Sequence, residues 1–388
     1  MNWNISTLGV LVKKYGGRIQ TGPFGSQLHQ HDYKSEGIPV VMPKDIINDM
    51  IDTTSIARIS DDDADRLGKH KLNIGDLVLP RRGDINKRTT CKSENEGWLC
   101  GTGCLKIRLN DEIVDPSYLY YYFTLAQVVE SILNKAVGST MLNLSGAILS
   151  STDIVYPALP IQRRIASILS AYDDLIENNL KRIKLLEEKL MIEYSILEEE
   201  SKNSFDCDFS DYVTFIKGIE PGSGNYLSEK SESTLPFIRV GDLSKRDSEI
   251  YIEEDKSKGI ICNPDDVLIS MDGTIGIVKY GMCGCYSSGI RKAVSNGILN
   301  NAFIFSYLSS KKIQGVIYSH SKGSTIQHAG SSINHFKVRL PKQSSLNEFI
   351  SFSNPVFNLM NNLLKQNTKL REARDILLPR LMSGEIEV

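Results

Sequence analysis

The sequence lacks the features that mark membrane, secreted and disulfide-stapled proteins. No run of about 18 apolar residues occurs, so no segment is expected to cross a bilayer. The N-terminus, MNWNISTLGVLVKKYGG, lacks the basic-then-apolar order of a signal peptide. The cysteines number seven, an odd count without a regular framework. Free thiols in a reducing compartment, the cytoplasm, are therefore expected.

Signatures of catalysis and metal binding are also missing. The chain has no Asn-Pro-Pro-Tyr-like methyltransferase motif, no GxxxxGK[ST] loop and no convincing nuclease carboxylate–lysine cluster. The close cysteine pairs, Cys283 with Cys285 and Cys100 with Cys104, lack the partners of a zinc site. We therefore predict no catalytic residue, no metal site and no cofactor on this chain. The net charge of −2 does not advertise nucleic acid, although a local basic face stays possible.

What the sequence does contain is a heptad pattern that begins at Pro160 and continues to about Glu200. One row carries apolar residues at every seventh position, and Asn179 lies in the row beside it. The pattern is typical of a coiled-coil seam rather than a single core helix. The members of the row are Leu169, Ile176, Ile183, Leu190 and Leu197.

A second heptad row follows near the C-terminus, with Phe349 leading Val356, Leu363, Leu370 and Leu377. Gln366 is predicted to be the polar residue of this seam, as Asn179 is of the first. Asp173-Asp174 and Asn354-Pro355 predict a short helix, a kink and then a long helix in both copies. A helix of about 28 residues would be roughly 42 Å long. That length is comparable to one turn of B-DNA, about 34 Å.

The two helical segments end a longer repeat, because the landmarks before them also occur twice in the same order. Gly37–Ile46 is answered by Thr234–Leu243, and Gly75–Ile85 by Asp265–Ile275. Gly138-Ser-Thr140 is echoed by Gly323-Ser-Thr325, and Leu159-Pro-Ile-Gln162 by Leu340-Pro-Lys-Gln343. A repeat this long is a duplicated domain rather than a solenoid.

These observations predict an α+β fold of two globular domains related by pseudo-two-fold symmetry. Two long helical arms, packed as an antiparallel coiled coil, would separate the domains. The predicted boundaries are residues 1–158 for the first domain, 159–205 for its arm, 206–340 for the second domain and 341–388 for its arm.

At these residues the chain resembles the specificity (S) subunit family of type I restriction–modification systems. Thr21–Tyr33, Gly75-Asp-Leu-Val78, Gly138-Ser-Thr140, Leu159-Pro-Ile-Gln162 and Leu370–Glu385 carry the resemblance. The resemblance implies two target-recognition domains that each read one half of an asymmetric, bipartite DNA site. It also implies arms that dock two methyltransferase (modification) subunits, with restriction subunits joining a larger complex. S-adenosylmethionine, ATP and Mg²⁺ would belong to those partners.

Candidate DNA-binding residues are basic or hydroxyl side chains near predicted strand ends, together with residues of a glycine-rich loop. Basic side chains neutralise phosphates, hydroxyl groups and the backbone N–H groups of such a loop can donate hydrogen bonds to them, and arginine can also bind a guanine edge. For each of them a solvated loop, a turn or a helix cap is the alternative. Met271-Asp272 occupy the place of Arg81-Arg82, which puts a shared phosphate contact in doubt. The candidates are Ser26, Gln27, Lys44, Arg81, Arg82, Lys87, Arg88, Ser139 and Thr140 in the first half, and Lys279, Arg291, Lys292, Lys322, Ser324 and Thr325 in the second.

Two other functions stay open at this point. A coiled-coil scaffold without sequence-specific DNA binding explains the arms but leaves the basic loop unused. A nucleic-acid enzyme would need a catalytic site that the sequence does not reveal. The aromatic run Tyr118–Phe123 could stack on bases, but a mostly buried helix fits consecutive aromatics better.

Overall fold

The computed structural model describes residues 3–47, 49–136, 143–246, 248–322 and 327–388. The chain forms two compact units, one of Met1–Asp174 with Leu370–Val388 and the other of Leu175–Lys369. Among the described residues, no helix is long and apolar enough to cross a membrane.

In its described residues, the first unit combines short helices with twelve short strands. Its helices are α1 Leu8–Tyr15, α2 Asp61–Arg66, α3 Pro116–Tyr122, α4 Ala126–Ala136 and α5 Gly146–Ser150. Its strands are β1 Asn4–Thr7, β2 Gly17–Thr21, β3 Tyr33–Lys34, β4 Ile38–Val41, β5 Ile46–Ile47, β6 Met50–Ile51, β7 Ala57–Ile59, β8 Leu77–Pro80, β9 Thr89–Thr90, β10 Leu99–Cys100, β11 Cys104–Leu109 and β12 Asp153–Tyr156. The long helix α6, Leu159–Glu200, begins in this unit and continues into the second.

The second unit has the same kind of composition. Its helices are α7 Val240–Lys245, α8 Asn301–Ser309 and α9 Lys311–Ser319. Its strands are β13 Asp206–Asp208, β14 Val213–Lys217, β15 Thr234–Ile238, β16 Tyr251–Glu253, β17 Ile261–Cys262, β18 Val267–Ser270, β19 Asp272–Gly273, β20 Val278–Lys279, β21 Gly284–Tyr286, β22 Ile290–Ser295, β23 Gln327–His328 and β24 Lys337–Arg339. The helix α10, Gln343–Met382, begins in this unit and ends in the first.

The sheets of the two units have the same connectivity. The antiparallel sheet β2-β11-β8-β9 corresponds to β14-β22-β18-β20. In the second sheet of each unit one parallel pair, β4 with β10 or β15 with β21, adjoins an antiparallel strand. Each unit also has a two-stranded ribbon, β1-β12 or β13-β24, and the second strand of each ribbon immediately precedes a long helix in the chain. The duplication inferred from the sequence is therefore a duplication of topology.

The acidic residue that opens the central strand of each unit has a structural role. Asp76 accepts hydrogen bonds from the Asn73 backbone N–H (3.1 Å), from Lys106 (3.2 Å) and from Arg108 (2.6 Å). Its counterpart Asp266 accepts from the Asn263 backbone N–H at 2.8 Å. Lys292 lies 3.4 Å from the Asp266 carboxylate, as Lys106 lies near Asp76. A carboxylate that is removed from water needs such partners, so these cations on the neighbouring strands stabilise the acidic turn.

The long helices are uninterrupted, α6 over 42 residues and α10 over 40. The prediction of separate short helices before Asp173 and Asn354, and of about 28 helical residues, is therefore wrong. The polar groups at both places find side-chain partners. Asp173 accepts hydrogen bonds from Tyr121 (2.6 Å) and Arg374. Asn300 donates to Ser353 (2.9 Å) and Asn354 (2.7 Å), and Pro355 removes only one backbone donor from the helix.

The heptad row of the first arm is buried along its whole length. Leu169, Ile176, Ile183, Leu190 and Leu197 are all between 0 and 7% exposed. In the second arm Phe349 and Leu363 are buried, whereas Val356, Leu370 and Leu377 are half-buried beside the buried Phe357 and Leu378. Gln366 is exposed, so its predicted seam position is wrong. The buried amide is Asn367, one residue further along.

The contacts inside the second unit show that α6 and α10 run antiparallel there. The Asn179 amide donates to the Asn367 side-chain oxygen at 2.9 Å. Fifteen residues later on α6, Tyr194 contacts Phe349, which lies earlier on α10, with ring centroids 6.3 Å apart. Rising numbers on one helix thus meet falling numbers on the other, as an antiparallel coiled coil requires.

The aromatic run in the first unit is part of its core, as the alternative to base stacking predicted. Tyr118, Tyr121, Tyr122 and Phe123 are each at most 5% exposed. The Tyr118 and Tyr122 hydroxyls donate to backbone carbonyls of β12. Those four rings therefore have no exposed face on which bases could stack.

Candidate nucleic-acid interface

In the first unit, three chain segments meet at the end of β8, and we call this place the first junction. It comprises Phe24, Arg81, Arg82, Gly103 and Asn143. The Arg81 N–H donates to the Gly103 carbonyl (2.6 Å), and the Leu144 N–H donates to the Arg81 carbonyl (2.8 Å). Gly22 lets its own segment lie close to the backbone of Gly101, because a Cβ at Gly22 would be 1.8 Å from the Gly101 oxygen. The backbone of Arg81 is therefore fixed on both sides.

The Arg81 side chain is also fixed. Its Nε donates to the Asn143 side-chain oxygen at 3.0 Å, and its guanidinium lies 5.2 Å from the Phe24 ring centroid. Phe24 itself is 50% exposed. Within the described residues, no hydrogen bond uses the terminal Nη groups of Arg81. The junction thus holds a half-buried guanidinium whose outer donors have no partner in the described part of the chain.

Five other predicted residues of the first half lie at the surface or in its loops. Arg82 is exposed, and its backbone forms a bridge with Asn143. Lys44 is exposed and Lys87 half-buried, and both donate to backbone carbonyls at 3.4 Å. Ser26 is exposed, and the Gln27 side chain accepts from the Phe24 N–H at 3.2 Å. Gln27 therefore shapes the loop that carries Phe24.

The prediction that Arg88 contacts DNA is wrong, because its side chain is buried. The guanidinium donates to the carbonyls of Asn86 and Phe123, and Arg88 is 6% exposed. Burial lowers the pKa of Arg88, while the nearby Asp49 carboxylate opposes this shift. Because the donors of this buried guanidinium are bonded to backbone carbonyls, Arg88 is not placed to contact a phosphate and instead anchors the loop.

The second unit contains an equivalent place, the second junction, which comprises Glu220, Met271, Asp272, Ser288 and His328. The Met271 N–H donates to the Gly289 carbonyl (2.7 Å), and the Ala329 N–H donates to the Met271 carbonyl (2.7 Å). These two bonds reproduce those of Arg81. Met271 and Asp272 therefore occupy the positions of Arg81 and Arg82, as the sequence repeat predicted.

The side chains of the second junction have a different chemistry. Met271 is fully buried. The Asp272 carboxylate lies 2.7 Å from Nδ1 of His328, and the two groups form an ion pair when the imidazole is protonated. Glu220 accepts from the Ser288 N–H (3.0 Å) and hydroxyl (2.7 Å). The backbone scaffold is conserved between the units, while its polar surface changes.

Two of the basic residues predicted in the second half, Lys292 and Arg291, bond to groups within the fold, and Lys279 is half-buried. Lys292 pairs with Asp266 and donates to the Ile261 carbonyl at 2.8 Å. Arg291 donates to the carbonyls of Ser288 and Ile290, and burial lowers its pKa. The pKa of Lys279 is lowered mainly by burial and, to a smaller extent, by the positive charge of Arg246. These partners favour a structural role for Lys292 and Arg291, which their local sequence does not reveal, whereas a DNA contact of Lys279 stays a prediction.

Lys322 is the exposed cation that remains from that group, and its backbone pairs with His328. Ser139, Thr140, Ser324 and Thr325 lie outside the residues that the structure describes.

Sequence reasoning missed Phe24, Asn143, Glu220 and His328. Phe24 was visible as the one aromatic residue in a glycine-rich loop. Asn143 and His328 each follow a Gly-Ser-Thr landmark by three to five residues. Their meeting with the end of β8 or β18 depends on long-range backbone pairing, which a local pattern does not contain.

Comparisons with known proteins agree with the duplicated architecture. The family model of the type I restriction modification DNA specificity domain matches the chain twice, over residues 2–188 and 213–367. The type I restriction enzyme MjaIX specificity subunit of Methanocaldococcus jannaschii is 28% identical over 393 residues, covering 92% of this chain and 88% of that protein.

A solved structure shows the same fold at lower sequence identity. The S subunit of a type I restriction–modification system from M. genitalium superimposes with a TM-score of 0.51 at 18% identity. The superposition covers 98% of this chain and 96% of that one. The predicted α+β fold with two repeated domains and long helices is confirmed. With the family model covering both repeats, this chain belongs to the type I restriction–modification DNA specificity family.

Proposed function

We propose that this chain reads a bipartite, asymmetric DNA sequence for a type I restriction–modification complex. The observation that carries the proposal is the junction built twice on one backbone scaffold with different side chains. Two equivalent scaffolds with unlike surfaces fit two unlike half-sites. The chain would be the non-catalytic member of the complex, and double-stranded DNA its substrate for recognition.

In the first unit, Arg82, Lys44, Lys87 and Ser26 are the proposed phosphate contacts. Each cation that neutralises a phosphate releases counterions, so its loss lowers the dependence of affinity on salt. At the second junction Lys322 is the corresponding candidate. Ser139, Thr140, Ser324 and Thr325 stay candidates from the sequence alone.

The test is DNA binding by the full chain, assembled with its modification subunits, across a range of salt concentrations. Arg82→Ala should weaken binding to all sequences alike and lower the slope of log affinity against log salt by about one. Lys13→Ala is the control, since it removes an equal charge from an exposed position on α1. Equal slopes for Arg82→Ala and the parent would show that Arg82 is merely solvated.

The arms supply the proposed docking surface for the modification subunits. Leu185, Ile192 and Ile196 on α6 are 63%, 60% and 51% exposed. Their spacing of seven and four residues places them on one helical face, outside the buried heptad row. An exposed apolar stripe of this kind is typical of an interaction surface. S-adenosylmethionine, ATP and Mg²⁺ would then be bound by the modification and restriction subunits, with none held by this chain.

A scaffold that joins those subunits without reading DNA is the second candidate. The continuous helices and the apolar stripe fit that function equally well. It predicts that the assembled complex binds all DNA sequences alike, whatever residues stand at the two junctions.

The free thiols of all seven cysteines fit the proposed cytoplasmic location under either function.

A further inference from the structure

We propose that Arg81 reads a guanine in the half-site bound by the first unit. The proposal rests on the proposed function, because it needs the first junction to face DNA. It names one residue and one base, which the family relationship alone does not supply.

The first step is that Arg81 is positioned before any ligand binds. Its backbone is bonded on both sides, to Gly103 and to Leu144. Its side chain is held at Nε by Asn143, and its guanidinium carbon lies 5.2 Å from the centroid of the Phe24 ring. Fixing a flexible side chain in advance removes the entropic cost of ordering it on binding. A cation that only neutralises phosphate needs no such positioning.

The second step concerns the donors that remain. With Nε bonded to Asn143, the two terminal amino groups are the donors of Arg81 that remain without a hydrogen bond among the described residues. Two parallel N–H donors match the N7 and O6 acceptors of guanine in the major groove, and this is the commonest specific arginine contact with DNA. Adenine presents one acceptor and one donor at these positions, so it matches the fork poorly.

The third step is the contrast with neighbouring and equivalent positions. Arg82, next along the chain, is exposed, and among the described residues neither a ring nor a side-chain amide holds its guanidinium. Met271, which occupies the place of Arg81 in the second unit, is fully buried. The guanine contact is therefore assigned to the first half-site only, and Phe24 and Asn143 are its positioning residues.

The experiment measures binding of the full chain, in complex with its modification subunits, to its cognate site and to sites changed one base pair at a time. Arg81→Ala should weaken cognate binding by about 5- to 150-fold. Sites already changed at one G·C pair of the first half-site should bind parent and variant equally. The salt slope should stay at the parental value. Replacing the guanine of that pair by 7-deazaguanine, which lacks N7, should weaken the parent complex and leave the variant unaffected.

Arg82→Ala is the matched control, with a uniform loss of affinity and a lower salt slope expected. Arg81→Lys keeps the charge but lacks the two-pronged donor, so it should lose base discrimination at an unchanged slope. Asn143→Ala and Phe24→Leu should reduce the same discrimination.

A uniform loss with a lower slope for Arg81→Ala would make Arg81 a phosphate contact and overturn the proposal. Unchanged discrimination in both Arg81 variants, with 7-deazaguanine tolerated at every position, would also overturn it. If Arg81→Ala fails to fold, Arg81→Lys and the modified base decide the outcome. A parent complex that binds no sequence selectively would instead refute the proposed function, which is a distinguishable result.

Discussion

Asn179 and Asn367 form a hydrogen-bonded amide pair at 2.9 Å in the buried face between α6 and α10. Asn367 also donates to the Ile176 carbonyl at 3.4 Å. A buried polar pair inside an apolar seam lowers stability relative to hydrophobic packing, but it favours the one register in which both amides are paired. This pair therefore specifies how the two helices align in the second unit.

Replacing either partner alone should be more costly than replacing both. Asn179→Leu or Asn367→Leu leaves one buried amide unpaired, at a cost of about 1–3 kcal/mol in the free energy of unfolding. The double variant removes both polar groups and should recover much of that loss. Urea unfolding of the four proteins gives the coupling energy. Gln366→Leu, at the exposed neighbour, is the control and should change stability little. Additive effects of the two single variants would show that the pair does not act as a unit.

The buried row and the exposed stripe of α6 should respond differently to the same substitution. Ile183 is 4% exposed and Leu185 is 63% exposed. Ile183→Asp buries an unpaired charge, so we expect a loss of several kcal/mol or unfolding of the arm. Leu185→Asp should melt at the parental temperature and yet weaken assembly with the modification subunits.

Thermal melting and size-exclusion chromatography of the mixed subunits distinguish the two effects. Normal assembly by Leu185→Asp would remove that residue from the proposed docking surface. Parental melting of Ile183→Asp would contradict the buried position of the heptad row.

Asp49 should make the stability of the protein depend on pH. Burial raises the pKa of Asp49 above its ordinary value of 3.8, while the charges of Arg88 and Arg374 oppose the shift. The folded state then holds a proton that the unfolded state releases. The free energy of unfolding should therefore fall as pH rises from 3.8 through the raised pKa.

Asp49→Asn should abolish this fall, giving a variant that is more stable than the parent at pH 7 and equal to it below about pH 3.8. Asparagine also tolerates the left-handed backbone of this position, where φ is +62°. Melting temperatures between pH 3 and pH 8 provide the measurement, with Asp111→Asn as an exposed control. Lower stability of Asp49→Asn at pH 7 would mean that attraction by the two arginines outweighs burial.

The repeated fold was predictable because its signals are local and periodic. The heptad row from Leu169 to Leu197 depends only on spacing along one helix, and all five members are buried. The acidic turn before each central strand was visible as a repeated motif at Asp76 and Asp266. Its meaning, a carboxylate bonded to its own turn and to a lysine on the neighbouring strand, required the structure.

The site was less predictable because charge alone does not determine exposure. Arg82 and Arg88 belong to one loop, yet one is exposed and the other donates to the Phe123 carbonyl. Lys292 and Lys322 are both lysines of the second unit, and among the described residues a carboxylate lies 3.4 Å from Lys292 but none pairs with Lys322. Which cation is free is decided by chain segments distant in sequence. The adjacent amides Gln366 and Asn367 show the same limit, since one residue of helical rotation separates an exposed side chain from a buried one.

Selection of DNA from a randomised library by the full chain in complex with its modification subunits tests the central claim most directly. Two unlike recognition units on one chain predict enrichment of two short, different blocks separated by a spacer of constant length and free sequence. Arg81→Ala should relax one G·C position in one block and leave the other block intact. Enrichment of a single contiguous block, or of no sequence at all, would contradict the account.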